Sequence, residues 1–78
     1  DMDIPEGTII LEPRSIFDHA MVGYDIDQAV LIYDFDLLVE SLMNSGCNMI
    51  ESVDYIYFNI IGVKLHGWPI IQDYEKNL

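Results

Sequence analysis

A chain of 78 residues forms one domain near the lower end of what folds unaided, and it carries 14 acidic residues against three basic ones, a formal charge of −11. That balance excludes direct contact with nucleic acid or an anionic membrane, where phosphate neutralisation needs Lys and Arg in number. A hydrophobic fraction of 51% with nine aromatics excludes an acidic disordered segment.

Residues 1–14 read as an extended arm, with a turn signal at Pro5-Glu6-Gly7, a β-prone run over 8–11 and a stop at Pro13. The acidic start has no basic region followed by an apolar one, so no signal peptide is expected. A globular core is expected over 15–72. Ser15 opens a short helical turn, with Asp18 in the Glu position of a capping box and Ile16, Phe17 and Ala20 facing inward. Strands follow over 21–24 and 29–33, joined by the polar loop Asp25-Ile26-Asp27-Gln28, which has the length of a four-residue hairpin connection. The second strand is almost continuously apolar, which predicts a central position.

Asp34 caps a helix in which Phe35, Leu38, Val39, Leu42 and Met43 fall at i, i+3, i+4, i+7 and i+8, an amphipathic stripe. Gly46 terminates it in the left-handed conformation. Asn48-Met49-Ile50-Glu51 is a second capping box, and the helix it opens reaches Asn59 or Ile60. Met49 or Ile50, Val53, Ile56 or Tyr57, and Ile60 are expected in the core. Tyr55 and Phe58 on the other side predict that this helix is covered there too. Gly62 breaks it, Trp68-Pro69-Ile70-Ile71 predicts a short edge strand, and 73–78 predicts a fraying tail. The fold expected is α+β. An antiparallel sheet of two to four strands, built on the hairpin and extended by the C-terminal strand and the arm at 8–11, carries two antiparallel helices on one face.

The longest uncharged apolar run, 55–63, is far short of the roughly 20 residues of a membrane span. Cys47 is the only cysteine, so no intrachain disulfide forms within these residues. A cytoplasmic, reducing location is expected.

Residues from about Ser15 to Ile71 resemble a family of small, largely uncharacterised proteins of phages, prophages and other bacterial mobile elements. The likeness rests on Ile16-Phe17-Asp18-His19-Ala20-Met21-Val22-Gly23, on Ile32-Tyr33-Asp34-Phe35-Asp36, and on Leu42-Met43. It continues in Glu51, Asp54-Tyr55-Ile56, Asn59 and the closing Pro69-Ile70-Ile71. The family's usual acidic residue plus glycine at the hairpin tip is replaced here by Asp27-Gln28. The resemblance implies a mobile-element context and assigns no catalytic residue.

Many carboxylates raise the question of a metal. Asp25-x-Asp27 and Asp34-x-Asp36 resemble fragments of calcium loops, but counting from Asp25 places Val30 at position 6 and Asp36 at position 12, where an EF-hand needs Gly and Glu. One Cys and two distant His, His19 and His66, do not make a soft-metal site. Cys47 lies in no nucleophile motif, and no Gly-rich phosphate loop is present. No enzyme activity and no cofactor are therefore expected.

Between Arg14 and Lys64 the chain runs forty-nine residues with eight carboxylates and no Lys or Arg. Asp34, Asp36 and Glu51 sit in first helical turns, where the macrodipole favours them by up to about 1 kcal/mol each, and Asp25 and Asp27 are turn formers. Glu40, one turn after Asp36, and Asp54, three residues after Glu51, have no such role and repel their neighbours by a few tenths of a kcal/mol. Asp25, Asp27, Asp36, Glu40, Glu51 and Asp54 are accordingly the expected surface for a basic protein partner. That surface would imitate the charge of nucleic acid, with a host defence nuclease as one target. The alternative is an accessory assembly domain, homodimeric through its surplus apolar surface, whose charge serves only solubility.

Overall fold

The computed structural model describes residues 4–73. The centre of the sheet is β2 (Val30–Asp34), with β1 (Met21–Asp25) on one side and β3 (Ile70–Gln72) on the other. β1 and β2 pair antiparallel, with Met21 opposite Tyr33 and Asp25 opposite Val30, and a bulge interrupts the register between Met21 and Gly23. β3 runs parallel to β2, Ile32 opposite Ile70 and Asp34 opposite Gln72, so the α+β fold has a mixed sheet where an antiparallel one was expected. Parallel pairing needs a long crossover, and the two helices plus residues 62–69 supply it.

The hairpin lies one residue later than the polarity pattern predicts. The loop is 26–29 because Asp25 accepts a hydrogen bond from the Gln28 N–H through Oδ1 at 3.0 Å, closing the turn from within β1. Ala29 then takes φ +59°, a left-handed conformation that an L-residue adopts at a cost.

The β-prone run of the arm, residues 8–11, makes no strand. Its Leu11 N–H, which a ladder would have used, donates instead to the Tyr33 hydroxyl, and the Leu11 side chain is buried. α1 (Arg14–Phe17) starts after Pro13 with no side-chain cap, so the capping box expected at Ser15 does not form. Asp18 is drawn to Arg14 Nε at 2.9 Å, a charge-assisted bond that takes the carboxylate away from the helix start. A 3₁₀ turn, Asp18–Ala20, follows; Phe17 and Ala20 are buried and Ile16 half-buried.

α2 (Phe35–Asn44) begins at Asp34, whose Oδ2 accepts from Leu37 N–H at 3.1 Å. Its end is a Schellman motif: Gly46 N–H donates to Met43 carbonyl and Cys47 N–H to Leu42 carbonyl, both at 3.1 Å, with Gly46 at φ +118°. Phe35, Leu38, Val39 and Leu42 are buried as the stripe predicts, whereas Met43 is 40% exposed. The capping box of α3 (Met49–Ile56) is complete, Asn48 and Glu51 exchanging side-chain and backbone hydrogen bonds at 2.8 and 2.9 Å.

α3 continues as a π-helical turn, Tyr57–Ile61, one residue beyond the expected end. Gly62 N–H closes it on the Tyr57 carbonyl at 2.9 Å, five residues back, and a side chain at Gly62 would stand 3.0 Å from that oxygen. Trp68 Nε1–H donates to the Ile60 carbonyl at 2.8 Å and ties the widened turn to the segment before β3. The buried line of the helix is Ser52, Ile56 and Ile60. Met49 and Ile50, one of which was expected inside, are both exposed, and Val53 is only half-buried. Phe58, expected to be covered, is 79% exposed, while Tyr55 stacks on Phe17 at 6.3 Å and stays 40% exposed. The first turn of α3 therefore buries only Ser52 and leaves its large apolar side chains outside the core.

One core joins these parts: Leu31 and Tyr33 from β2, Ile71 from β3, the α2 stripe, Ile56 and Ile60, with Phe17, Ala20 and Leu11 closing the near end. Within the described part of the arm, Ile4 and Ile10 rest on the core. The tail expected to fray, apart from Asp73, lies outside the described residues.

Candidate functional site

Of the six carboxylates expected on the partner surface, two have structural work. Asp25 closes the hairpin and Glu51 completes the α3 capping box. Asp27 is exposed on the hairpin loop. That loop stands at the opposite end of β2 from Asp36, roughly 16 Å away at strand rise, so the six acids do not converge on one point. Asp36 and Glu40 do come together, one turn apart on the exposed side of α2. Asp54 is exposed on α3 with no hydrogen-bond or ion-pair partner among the described residues. Glu40, which has no capping role, faces His19 Nε2 at 3.7 Å; both side chains are more than half exposed, so the contact contributes little.

Asp36 and Glu40 form the rim of a groove of about 540 Å³ between α2 and α3. Its floor is apolar: Phe35 and Tyr57 pack edge to face at 5.7 Å, with Val39 and Val53 beside them. Met43 and Asn44 at the end of α2 and Met49 at the start of α3 form the walls. The four-residue connection 45–48, held by the Schellman motif and the capping box, sets how far these helices stand apart at this end. Neither Lys nor Arg lines the groove.

Met43, Met49, Val53 and Tyr57 line the groove; spacing alone puts Met43 and Val53 on the core stripes and offers Met49 and Tyr57 as alternatives to Ile50 and Ile56. The signal that could have found them is the excess of large apolar residues over what so small an interior holds.

A shallower recess of about 260 Å³ between α1 and α2 is lined by Ser15, His19, Ser41 and Asn44 among others. Ser41 Oγ is buried with no hydrogen-bond partner among the described residues. Cys47 is half-buried against the core at the Schellman turn, and His66 is exposed in the segment before β3. Among the described residues no three His, Cys, Asp or Glu side chains are grouped to hold a metal ion. No helix among them is long and apolar enough to cross a membrane.

Arg14 is engaged by Asp18, and the other cation among the described residues, Lys64, is exposed in the segment before β3. No family model, no curated protein and no solved structure matches the chain.

Proposed function

We propose that this chain is a small acidic protein-binding module of mobile-element type, which engages a basic protein partner through the helical side that carries Asp36, Glu40 and Asp54. The observation that carries this reading is the pairing of Asp36 and Glu40 on the rim of an exposed apolar groove, in a protein of net charge −11. Apolar contact gives such a surface its affinity, and the surrounding field steers a cationic partner to it. The resemblance to small phage and prophage proteins supports a setting in which that partner is a nucleic-acid-binding host protein, such as a defence nuclease, and the module acts as a charge mimic that inhibits it.

The test is a double reversal, Glu40→Lys with Asp54→Lys. Both side chains are exposed, so stability should change by no more than about 0.5 kcal/mol, the lost His19 contact being offset by relief of repulsion within each helix. Partner capture from bacterial lysate should weaken, and capture by the unaltered chain should fall between 0.01 M and 0.15 M salt as the Debye length contracts from about 30 Å to about 8 Å. If the reversed chain captures the same partners as tightly, the acidic side has no binding role.

A second reading, an assembly domain that self-associates, is favoured by one observation: Phe58, 79% exposed beside Tyr55 and outside the groove. Apolar self-association would be insensitive to salt or strengthened by it, the opposite of the charge-driven case.

A further inference from the structure

The α2–α3 groove offers more than a negative surface. We propose that it docks a single amphipathic α-helix of the partner, with large apolar side chains inserted between α2 and α3 and Lys or Arg along the margin. This inference rests on the proposed function and specifies the form of the basic partner.

Three observations carry it. The first is shape. A groove of about 540 Å³ has the capacity of a ligand site, yet it is only part-enclosed and lies between two helices. It therefore suits side chains projecting from a rod rather than an enclosed small molecule.

The second is the backbone. Both long walls are α-helical, so apart from the end turns their N–H and C=O groups bond within each helix, and they present no ladder to an extended peptide. An occupant has to satisfy its own backbone, which a helix does and a strand does not. The ends of the two helices where they connect carry a Schellman motif and a capping box, which occupy part of the end-turn backbone groups there.

The third is the chemistry of wall and rim. Met43 and Met49 stand 40% and 56% exposed over a rigid aromatic floor. Unbranched thioethers adapt their rotamers to whatever apolar side chain enters, the property that adaptable helix-binding surfaces exploit. Asp36 and Glu40 on the rim, with neither Lys nor Arg along the lining, complement a cationic helix. A second copy of this chain would instead approach the same rim with its own net charge of −11.

The probe is a synthetic, fluorescently labelled Leu/Lys peptide of about 14 residues, roughly four turns, with Leu at i, i+3, i+4 and i+7. Its control has the same composition in an order that leaves no apolar face. The patterned peptide should bind at least about tenfold more tightly than the control, and the methyl resonances of Met43 and Met49 should shift on titration. The variant Met43→Ser/Met49→Ser should lose at least about tenfold for the patterned peptide and leave the control unchanged. Both residues are exposed, and the methyl titration needs no variant at all.

If the two peptides bind alike and the methyl signals stay still, the groove proposal fails while the charge-based reading survives. Should neither peptide bind at low salt, both fall. A salt-resistant dimer that the methionine variant disperses would make a second copy the occupant and overturn the proposal.

Discussion

The phenolic oxygen of Tyr33 accepts a hydrogen bond from the backbone N–H of Leu11 at 3.1 Å, inside the core and across 22 residues of chain. Tyr33 is fully buried in the central strand, so this bond ties the arm to the middle of the sheet. Tyr33→Phe keeps the ring and strands the Leu11 amide, which should cost about 1–3 kcal/mol in chemical denaturation. Burial pushes the phenol above its ordinary value; the Leu11 N–H opposes that shift by favouring phenolate, the Asp18 charge adds to it and Arg14 lessens it. The stability this provides is complete below the unfolded value of about 10 and is lost as pH rises through the folded one, because the unfolded chain gives up its proton first. Stability should therefore fall more steeply above about pH 10 in the wild-type chain than in Tyr33→Phe. Parallel alkaline profiles would show that Tyr33 does not set that limb.

Ala29 at φ +59° invites the opposite kind of change. Glycine occupies the left-handed region without the Cβ clash, and relief of that strain outweighs the extra freedom glycine gives the unfolded chain. Ala29→Gly should stabilise by about 0.5–1 kcal/mol and raise the melting temperature by roughly 2–8 °C. A lower melting temperature would mean that the hairpin turn is not held in this conformation.

Ser41 is a polar residue among apolar ones, its hydroxyl buried without a partner among the described residues. Ser41→Ala removes that unsatisfied group and improves helix propensity, for a gain of about 1 kcal/mol in urea unfolding. A loss of stability would reveal a hydrogen bond, from water or ligand, that the hydroxyl makes in solution.

Leu38 is completely buried at the centre of the α2 stripe. Leu38→Ala should cost about 2–5 kcal/mol, a large part of the stability of so small a domain. A melting curve close to wild type would show that the stripe is not the core.

The parts of this fold that were legible in the sequence are those decided within a few residues. The α2 stripe, the Asp34 cap, the Asn48–Glu51 box and the Gly46 terminator each depend on neighbours three to five positions away, and all form as their residue types dictate. The parts that were not legible depend on competition, between local partners or across the chain. Asp18 had two local uses, and Arg14 took it. Leu11 had a β-prone context, and a tyrosine hydroxyl on a distant strand took its amide. Met43 and Met49 have core spacing and lie outside the core, because the distance between two helices is a tertiary quantity. The same distance creates the groove, so the carboxylates on its rim could be named from sequence while its floor could not. The π turn, closed by the Gly62 N–H on the Tyr57 carbonyl, has no sequence pattern of its own.

The two outer strands limit how this protein can meet another. β1 carries its bulge between Met21 and Gly23, and β3 is three residues long and begins directly after Pro69. A bulged margin and a proline-led, abbreviated one both discourage another chain from extending the sheet. The proposed binding mode uses side chains on the helices instead, where each contact can be altered singly without disturbing a backbone register. A binding surface of that kind can follow a changing partner one substitution at a time, while the sheet beneath it stays the same.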